Sequence, residues 1–235
     1  MNLKDYQDYT KNGYVVVPNL ISEDTTHALC AIALKTIAEK QVKRGVGDNI
    51  ETKDSFNSVH DAFWPLHLQL TKTIQDYTCW IPNTLVPTYY YQRTYTNGAI
   101  LPKHRDRHAC QVSVSLHLGS DKPWEFTIGS QSVTLNPSDA VIYKGTEVYH
   151  ERATPFAGNF YSQLFLHYVH KNSTIKIDNS IEEAQDHYYD GLNTPEQIKN
   201  HYVYNYMKSS VVTHNEWIDI SERKLRTGTY HKKGD

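Results

Sequence analysis

His104, Arg105 and Asp106 form an H-x-D triplet just after Leu101-Pro102, and a third candidate ligand, His150, follows in the same strand-rich region. In an extended chain successive side chains point to opposite faces, so His104 and Asp106 project the same way and can grip one ion together. Two imidazoles and one carboxylate on one face of a metal leave its remaining positions open, the ligand set of non-haem Fe(II) centres. Fe(II) takes borderline nitrogen donors and a hard anionic oxygen, and it must keep adjacent vacancies for a chelating cosubstrate and dioxygen. The chemistry to expect from His104, Asp106 and His150, as metal ligands and catalytic centre, is oxygenation.

The elements that must position these residues are legible as periodicities. His150 comes after a strand-like run Ala140-Val141-Ile142-Tyr143 and a break at Lys144-Gly145, so a β-sandwich folded back on itself brings it beside His104. From Val86 onward the apolar period is two, in runs broken by Asn97-Gly98, Gly119-Ser120-Asp121, Gly129-Ser130 and Asn136-Pro137-Ser138-Asp139, the spacing of a sandwich or jelly roll. Val112, Val114, Leu116 and Leu118 alternate with Gln111, Ser113, Ser115 and His117, giving one apolar face to pack on helices. A further strand is expected from Phe160 to Val169.

Upstream, Gly13 to Pro18 reads as a strand. Ser22 to Asp24 then caps a helix with Leu29, Ile32, Ala33 and Ile37 on one side. A second helix opens near Pro65 with Leu66, Leu70, Ile74 and Tyr77 on one stripe, and residues 41–62 read as a polar loop between the two. Beyond His170 the composition turns polar, with one helix expected from Thr194-Pro195-Glu196 through Tyr202, Tyr206 and Met207. The expected organisation is one mainly β domain with α-helical cover over residues 1–170, and a C-terminal helical appendage over 171–235 that serves as a lid or a self-association segment.

Bulk properties exclude some partners. Lys and Arg number 24 against 26 Asp and Glu, so a formal charge of -2 gives no attraction to nucleic acid or to an anionic membrane. The charged N-terminus lacks an apolar signal core and no apolar run approaches bilayer length. Cys30, Cys79 and Cys110 are scattered, without C-x-x-C spacing, which suits a reducing, cytoplasmic setting in which each thiol is a small buried hydrophobe and iron stays ferrous. The sequence leaves oligomeric state open.

Wider wording carries a resemblance. Leu85-Val86-Pro87-Thr88-Tyr89-Tyr90-Tyr91, Arg93, Tyr95, Gly98, Leu101 and His104-Arg105-Asp106-Arg107 occur in order, followed by Cys110, Ser113, Leu118-Gly119, Pro123-Trp124, Asp139, Tyr143, Gly145, Glu147, His150, Arg152 and Gln163 to Tyr168. Over residues 10–170 this resembles a group of Fe(II)/2-oxoglutarate-dependent oxygenases of phages and marine microbes, distantly similar to prolyl hydroxylases and phytanoyl-CoA hydroxylases. The resemblance implies a double-stranded β-helix (a cupin-like jelly roll) with the N-terminal helices packed on one sheet, and iron held by His104, Asp106 and His150. It also implies 2-oxoglutarate as cosubstrate, split to succinate and carbon dioxide as O2 is reduced, with ascorbate as a candidate reductant. Gln111 departs from the pattern, since many relatives carry Glu there, and no substrate contact is borrowed from that position.

A second carboxylate on 2-oxoglutarate needs a cationic partner in the interior, an Arg or Lys helped by a hydroxyl. Related hydroxylases supply it at the start of the last strand, where this chain has Asn159, Phe160 and Tyr161. Arg152 shares strand parity with His150 and is the first choice; Arg93 and Tyr95, which share a parity in the strand leading to the H-x-D turn, are the second. The plainer readings are a surface salt bridge for Arg152 and a packed aromatic face for Tyr89, Tyr91 and Tyr95. His108, His117, His167 and His170 are read as polar-face or supporting residues rather than ligands.

The expected reaction is hydroxylation of an unactivated C–H bond in a small molecule or an amino-acid side chain. The Asp106 ligand argues against a halogenase, which needs that position vacated for a halide. Three rivals share the residues. A non-catalytic or other-metal cupin-like protein would hold Zn(II) or Mn(II) on the same ligands. A metallohydrolase would need Glu147 or Glu151 as base. A nucleobase-repair oxygenase would need a basic groove that the charge balance does not supply.

Overall fold

The computed structural model describes residues 3–39, 43–44, 55–58, 61–79, 85–106 and 110–170. The expected appendage at 171–235, His108, and much of the 41–62 segment lie outside the described residues.

Helix α1 (Leu3–Asn12) leads through Gly13, whose φ of +80° makes the tight exit, into β1 (Tyr14–Val17). Helix α2 (Glu23–Ala38) starts where the sequence places it. The Ser22 hydroxyl oxygen accepts the Thr25 N–H at 3.2 Å, and Glu23 and Asp24 sit at the positive end of the helix dipole. Helix α3 (Trp64–Thr78) carries Pro65 in its first turn, where a missing N–H costs nothing. No helix among the described residues is long and apolar enough to cross a membrane.

Strands β2 (Lys43–Arg44), β3 (Ser55–Ser58), β4 (Leu85–Tyr95), β6 (Val112–Ser120), β9 (Ala140–Tyr143) and β11 (Tyr161–His170) join β1 in a seven-stranded sheet of order β1-β9-β6-β11-β4-β3-β2. Strands β5 (Leu101–His104), β7 (Phe126–Ile128), β8 (Gln131–Val133) and β10 (His150–Arg152) form the second sheet, in the order β5-β10-β7-β8. All the pairings are antiparallel. The strands β2 and β3 correct the reading of 41–62 as a loop: Ser55 pairs with Tyr95 and Ser58 with Gln92 along an otherwise open strand edge. Edge pairing is satisfied by backbone groups, so it leaves little trace in the apolar pattern.

The main core lies between the helices and the outer face of the large sheet. There Leu29 and Ala33 of α2 and Leu70 and Ile74 of α3 meet Val112, Val114, Leu116 and Leu118 of β6 and Leu164 and Leu166 of β11. The alternate residues of β6, Ser113, Ser115 and His117, are as deeply buried, because they face inward toward the second sheet. Strand β11 sets His167 opposite Ser113, Phe165 opposite Ser115 and Gln163 opposite His117. On its other side it sets Gln163 opposite Arg93 and Phe165 opposite Tyr91. The interior is thus a polar and aromatic lining enclosed by an apolar outer packing.

His67 joins α3 to this lining. It is fully buried, its Nε2–H donates to the carbonyl of His167 at 3.1 Å, and the Tyr168 hydroxyl donates to the His67 carbonyl at 3.2 Å. Burial holds the His67 imidazole neutral, with its pKa lowered to about 3, and burial likewise lowers His117 to about 4. Below the ordinary histidine pKa near 6.5 the unfolded chain therefore binds protons that the fold refuses. Stability contributed by these groups is complete above that value and is lost as pH falls from 6.5 toward 4 and 3. Urea midpoints of the wild type should decline across that window, and His67→Gln, which keeps a donor for the His167 carbonyl, should decline less steeply. Superimposable slopes for the two proteins would remove His67 from the account.

Candidate metal centre

Strand β5 ends on His104, and β10 begins with His150 directly opposite it in the antiparallel ladder. Cross-strand partners point to the same face, so the two rings meet with centroids 4.2 Å apart at an interplanar angle of 57°. After His104 the chain turns, fixed by the Asp106 N–H donating to the Gly145 carbonyl at 2.8 Å. This carries the Asp106 carboxylate across to the histidine pair. Its Oδ1 lies 3.4 Å from His150 Nε2 and 3.7 Å from His104 Nε2. The three prospective donor atoms lie within 4.8 Å of one another.

The hydrogen bonds behind the rings decide which nitrogens are free. His104 Nδ1–H donates to the Pro102 carbonyl at 2.8 Å, and His150 Nδ1–H donates to the Val148 carbonyl at 3.0 Å. A carbonyl only accepts, so each Nδ1 carries the proton and each Nε2 turns a lone pair toward Asp106 Oδ1. Three acceptors converge there, an arrangement that a cation neutralises and that nothing else among the described residues does. The residues fit a divalent metal: two imidazole nitrogens and one carboxylate oxygen, with the tautomers already set by the outer hydrogen bonds.

Protonation states agree. Burial, then the neighbouring His150, lowers His104 to about 4, so its ring is neutral at physiological pH. Burial pushes the Asp106 carboxyl up, but the electrostatic influence of His150, His167 and His104 together pulls it further down, well below the usual carboxylate range. Side-chain exposure falls from 21% at His104 and 13% at Asp106 to 2% at His150, which marks the open side of the cluster as that of the first two. Among the described residues no fourth donor joins this trio; a second grouping of Asp106, Cys110 and His167 shares only Asp106 with it.

On the outer face, strand alternation leaves Tyr149 48% exposed, with Lys103 and Arg105 over its ring at 5.5 and 4.8 Å. These residues interleave with the three candidate donors and point away from them.

Arg152 is 1% exposed and points into the interior, two residues beyond His150. It donates to the Trp124 carbonyl (2.7 Å), the Gln163 Oε1 (3.1 Å) and the Tyr161 hydroxyl (3.2 Å), and stacks over the rings of Tyr161, Trp124 and Phe126. It has no carboxylate partner among the described residues, and its Nε has no hydrogen bond. The surface salt-bridge reading of Arg152 is therefore corrected: the group is buried and is held by neutral acceptors. Arg93 is also buried, over Tyr91 and Tyr95 at 5.4 and 5.7 Å, and Tyr95 lies edge-to-face against Trp124 at 5.0 Å with its hydroxyl buried and without a partner. Tyr89 and Tyr91 do form a packed aromatic face, with Tyr91 stacked on Phe165 at 4.6 Å and Tyr89 bonded to the Cys110 thiol at 2.9 Å.

Sequence reasoning gave no site role to Ser113 or Gln163 and read His117 as a polar-face or supporting residue. Ser113 donates to Asp106 Oδ2 at 2.6 Å. Gln163 links Arg152 to Ser115, whose hydroxyl lies 2.5 Å from Gln163 Nε2. His117 stacks on Tyr161 at 4.2 Å, donates from Nδ1 to the Leu135 carbonyl at 2.9 Å, and has a buried Nε2 without a partner. The available signal was parity, since polar residues alternating with the helix-facing set of β6 had to face the interior. His170, at the end of β11, stays apart from the cluster, its backbone N–H bonded to Gln111.

No family model and no curated protein matches the sequence. Solved structures do match the fold. A prolyl-4-hydroxylase from Pseudomonas putida aligns with 17% identity and a TM-score of 0.58 over 72% of this chain and 98% of its own. The 2-oxoglutarate-dependent carbocyclase SnoK of nogalamycin biosynthesis aligns with 11% identity and a TM-score of 0.61 over 80% and 89%. A prolyl hydroxylase from Trichoplax adhaerens, solved with a peptide of hypoxia inducible factor, aligns with 13% identity and a TM-score of 0.57 over 69% and 86%. At such identities the likeness is one of fold, and that fold is the double-stranded β-helix.

The triad geometry predicts that Asp106→Ala and His150→Ala abolish Fe(II) or Co(II) binding in calorimetry while the circular dichroism spectrum stays that of the wild type. Gly145→Ala should weaken binding too, because a Cβ there would meet Asp106 Oδ2 and the Ser113 hydroxyl at 2.5 Å each. Undiminished binding by the Asp106 variant would disprove the ligand set.

Proposed function

We propose that the chain is an Fe(II)- and 2-oxoglutarate-dependent dioxygenase that hydroxylates an unactivated C–H bond of a small molecule or an amino-acid side chain, releasing succinate and carbon dioxide. One observation carries the reading: an open three-donor cluster has, two residues beyond His150 on the same strand, a buried guanidinium without an anion among the described residues. Two residues along an extended strand advance roughly 7 Å. That suits a five-carbon dicarboxylate chelating a metal at one end and meeting Arg152 at the other.

Each part of this interior has a task. His104, Asp106 and His150 would hold the iron, which when bound supplies dioxygen activation coupled to decarboxylation of the cosubstrate, with ascorbate as a candidate reductant. Arg152 would take the distal carboxylate, with the buried Tyr95 hydroxyl as a neutral donor nearby, and Arg93 is the alternative cation. Trp124, Phe126 and Tyr161 around the guanidinium keep water out, which strengthens the charge pairing. The neutral acceptors of Arg152 fix its direction before the ligand arrives, so little rotamer entropy remains to be lost on binding.

Hydroxylation is preferred because Asp106 is retained as a ligand, which leaves no vacancy there for a halide. The same fold serves a carbocyclase, so the outcome depends on how the substrate is posed. A cupin-like Zn(II) or Mn(II) protein would account for the triad and would leave the carboxylate-free Arg152 without a purpose.

Anaerobic addition of Fe(II) and 2-oxoglutarate should produce a visible charge-transfer band, and aerobic turnover should release succinate. Arg152→Ala should raise the 2-oxoglutarate KM about 10- to 100-fold, the loss expected for one charged hydrogen-bonded contact. An unchanged KM, with a rise in Arg93→Ala instead, would move the role to Arg93; no band and no succinate in the wild type would end the proposal.

A further inference from the structure

We propose that Ser113 and His167 form a directed hydrogen-bond relay that restricts Asp106 to a single ligating oxygen, an inference that rests on the metal reading of the triad. The Ser113 hydroxyl oxygen lies 2.6 Å from Asp106 Oδ2 and 3.0 Å from His167 Nδ1. A carboxylate can only accept, so the one hydroxyl proton goes to Oδ2. Ser113 then serves His167 as an acceptor, which requires the proton on Nδ1. The chain runs from His167 Nδ1–H to Ser113, and from Ser113 O–H to Asp106.

The fold builds this relay from independent elements. His167 and Ser113 are partners in the β11–β6 ladder. The β11–β4 register shifts between Leu166 and Tyr168, so His167 sits at an irregularity of the kind that re-aims a side chain. Its carbonyl is held from outside by His67 of α3. On the other side, Gly145 closes on the same carboxylate oxygen, since even a Cβ would come within 2.5 Å of Oδ2 and of the Ser113 hydroxyl. Oδ2 is enclosed, and Oδ1 alone faces the imidazoles.

The consequence concerns coordination number. A carboxylate free to rotate can bind through both oxygens and take up a position that a chelating cosubstrate and dioxygen require. With Oδ2 committed, the protein spends three positions and keeps the rest open. Ser113 and His167 are positioning residues in this scheme, for they touch neither metal nor substrate.

The first test needs no metal. Ring nitrogen NMR of the metal-free protein should show His167 as the Nδ1–H tautomer, and finding Nε2–H would refute the relay. The second uses Co(II). Ser113→Ala and His167→Leu should weaken Co(II) binding about 10- to 100-fold and shift the visible ligand-field bands toward higher coordination. Ser113→Thr, which keeps the hydroxyl, and His167→Asn, whose amide nitrogen replaces Nδ1, should keep wild-type bands. Wild-type bands and affinity in Ser113→Ala, or equal losses in all four variants, would overturn the proposal. If the wild type takes up no Co(II), the ligand assignment fails, while the His167 tautomer still supports or refutes the relay by itself.

Discussion

The antiparallel pairing of β5 with β10 is the constraint on which the rest of the molecule depends. It puts His150 opposite His104, and only with those rings side by side does the turn after His104 bring a carboxylate to both. Strand pairing holds the two histidines through backbone groups, so their side chains are free to act. Each ring has its Nδ1–H tied to a carbonyl two residues earlier in its own chain. Tautomer, ring direction and ligand spacing therefore all follow from local backbone geometry.

The cost of this arrangement is a polar interior. Ser113, Ser115, His117, Gln163, His167, Arg93 and Arg152 are all buried between the sheets, where an unpaired polar group is expensive. Much of that cost is offset by mutual bonding: Gln163 bridges Arg152 and Ser115, and Ser113 bridges Asp106 and His167. Three buried polar atoms lie near one another and outside this bonding. Arg152 Nε and the Tyr95 hydroxyl are buried atoms without partners beside Trp124, and His117 Nε2 is another across the Tyr161 ring. Unpaired donors at Arg152 Nε and the Tyr95 hydroxyl are what a site made for an anion would leave.

Most strands from β4 onward, and the approach of His104, Asp106 and His150 to one another, were legible from periodicity and parity. Alternation in 112–118 identified the helix-facing set, the Lys144-Gly145 break placed His150 at a strand start, and parity with His150 picked out Arg152. What escaped was information held in pairing across long separations. Nothing in Ser55-Phe56-Asn57-Ser58 announces a partner in β4, because the ladder is made of backbone groups. The part Ser113 plays depends on Asp106 turning back through Gly145, a contact between residues far apart in the chain.

The alternation that sends His104 and His150 inward leaves Lys103, Arg105 and Tyr149 stacked together on the outside, each adjoining one of the three candidate donors in the chain. Inner and outer surfaces of this two-strand ribbon are in effect separately editable. A tether or an affinity handle could be installed at Tyr149, one peptide bond from His150, with the three-donor cluster left to the opposite side.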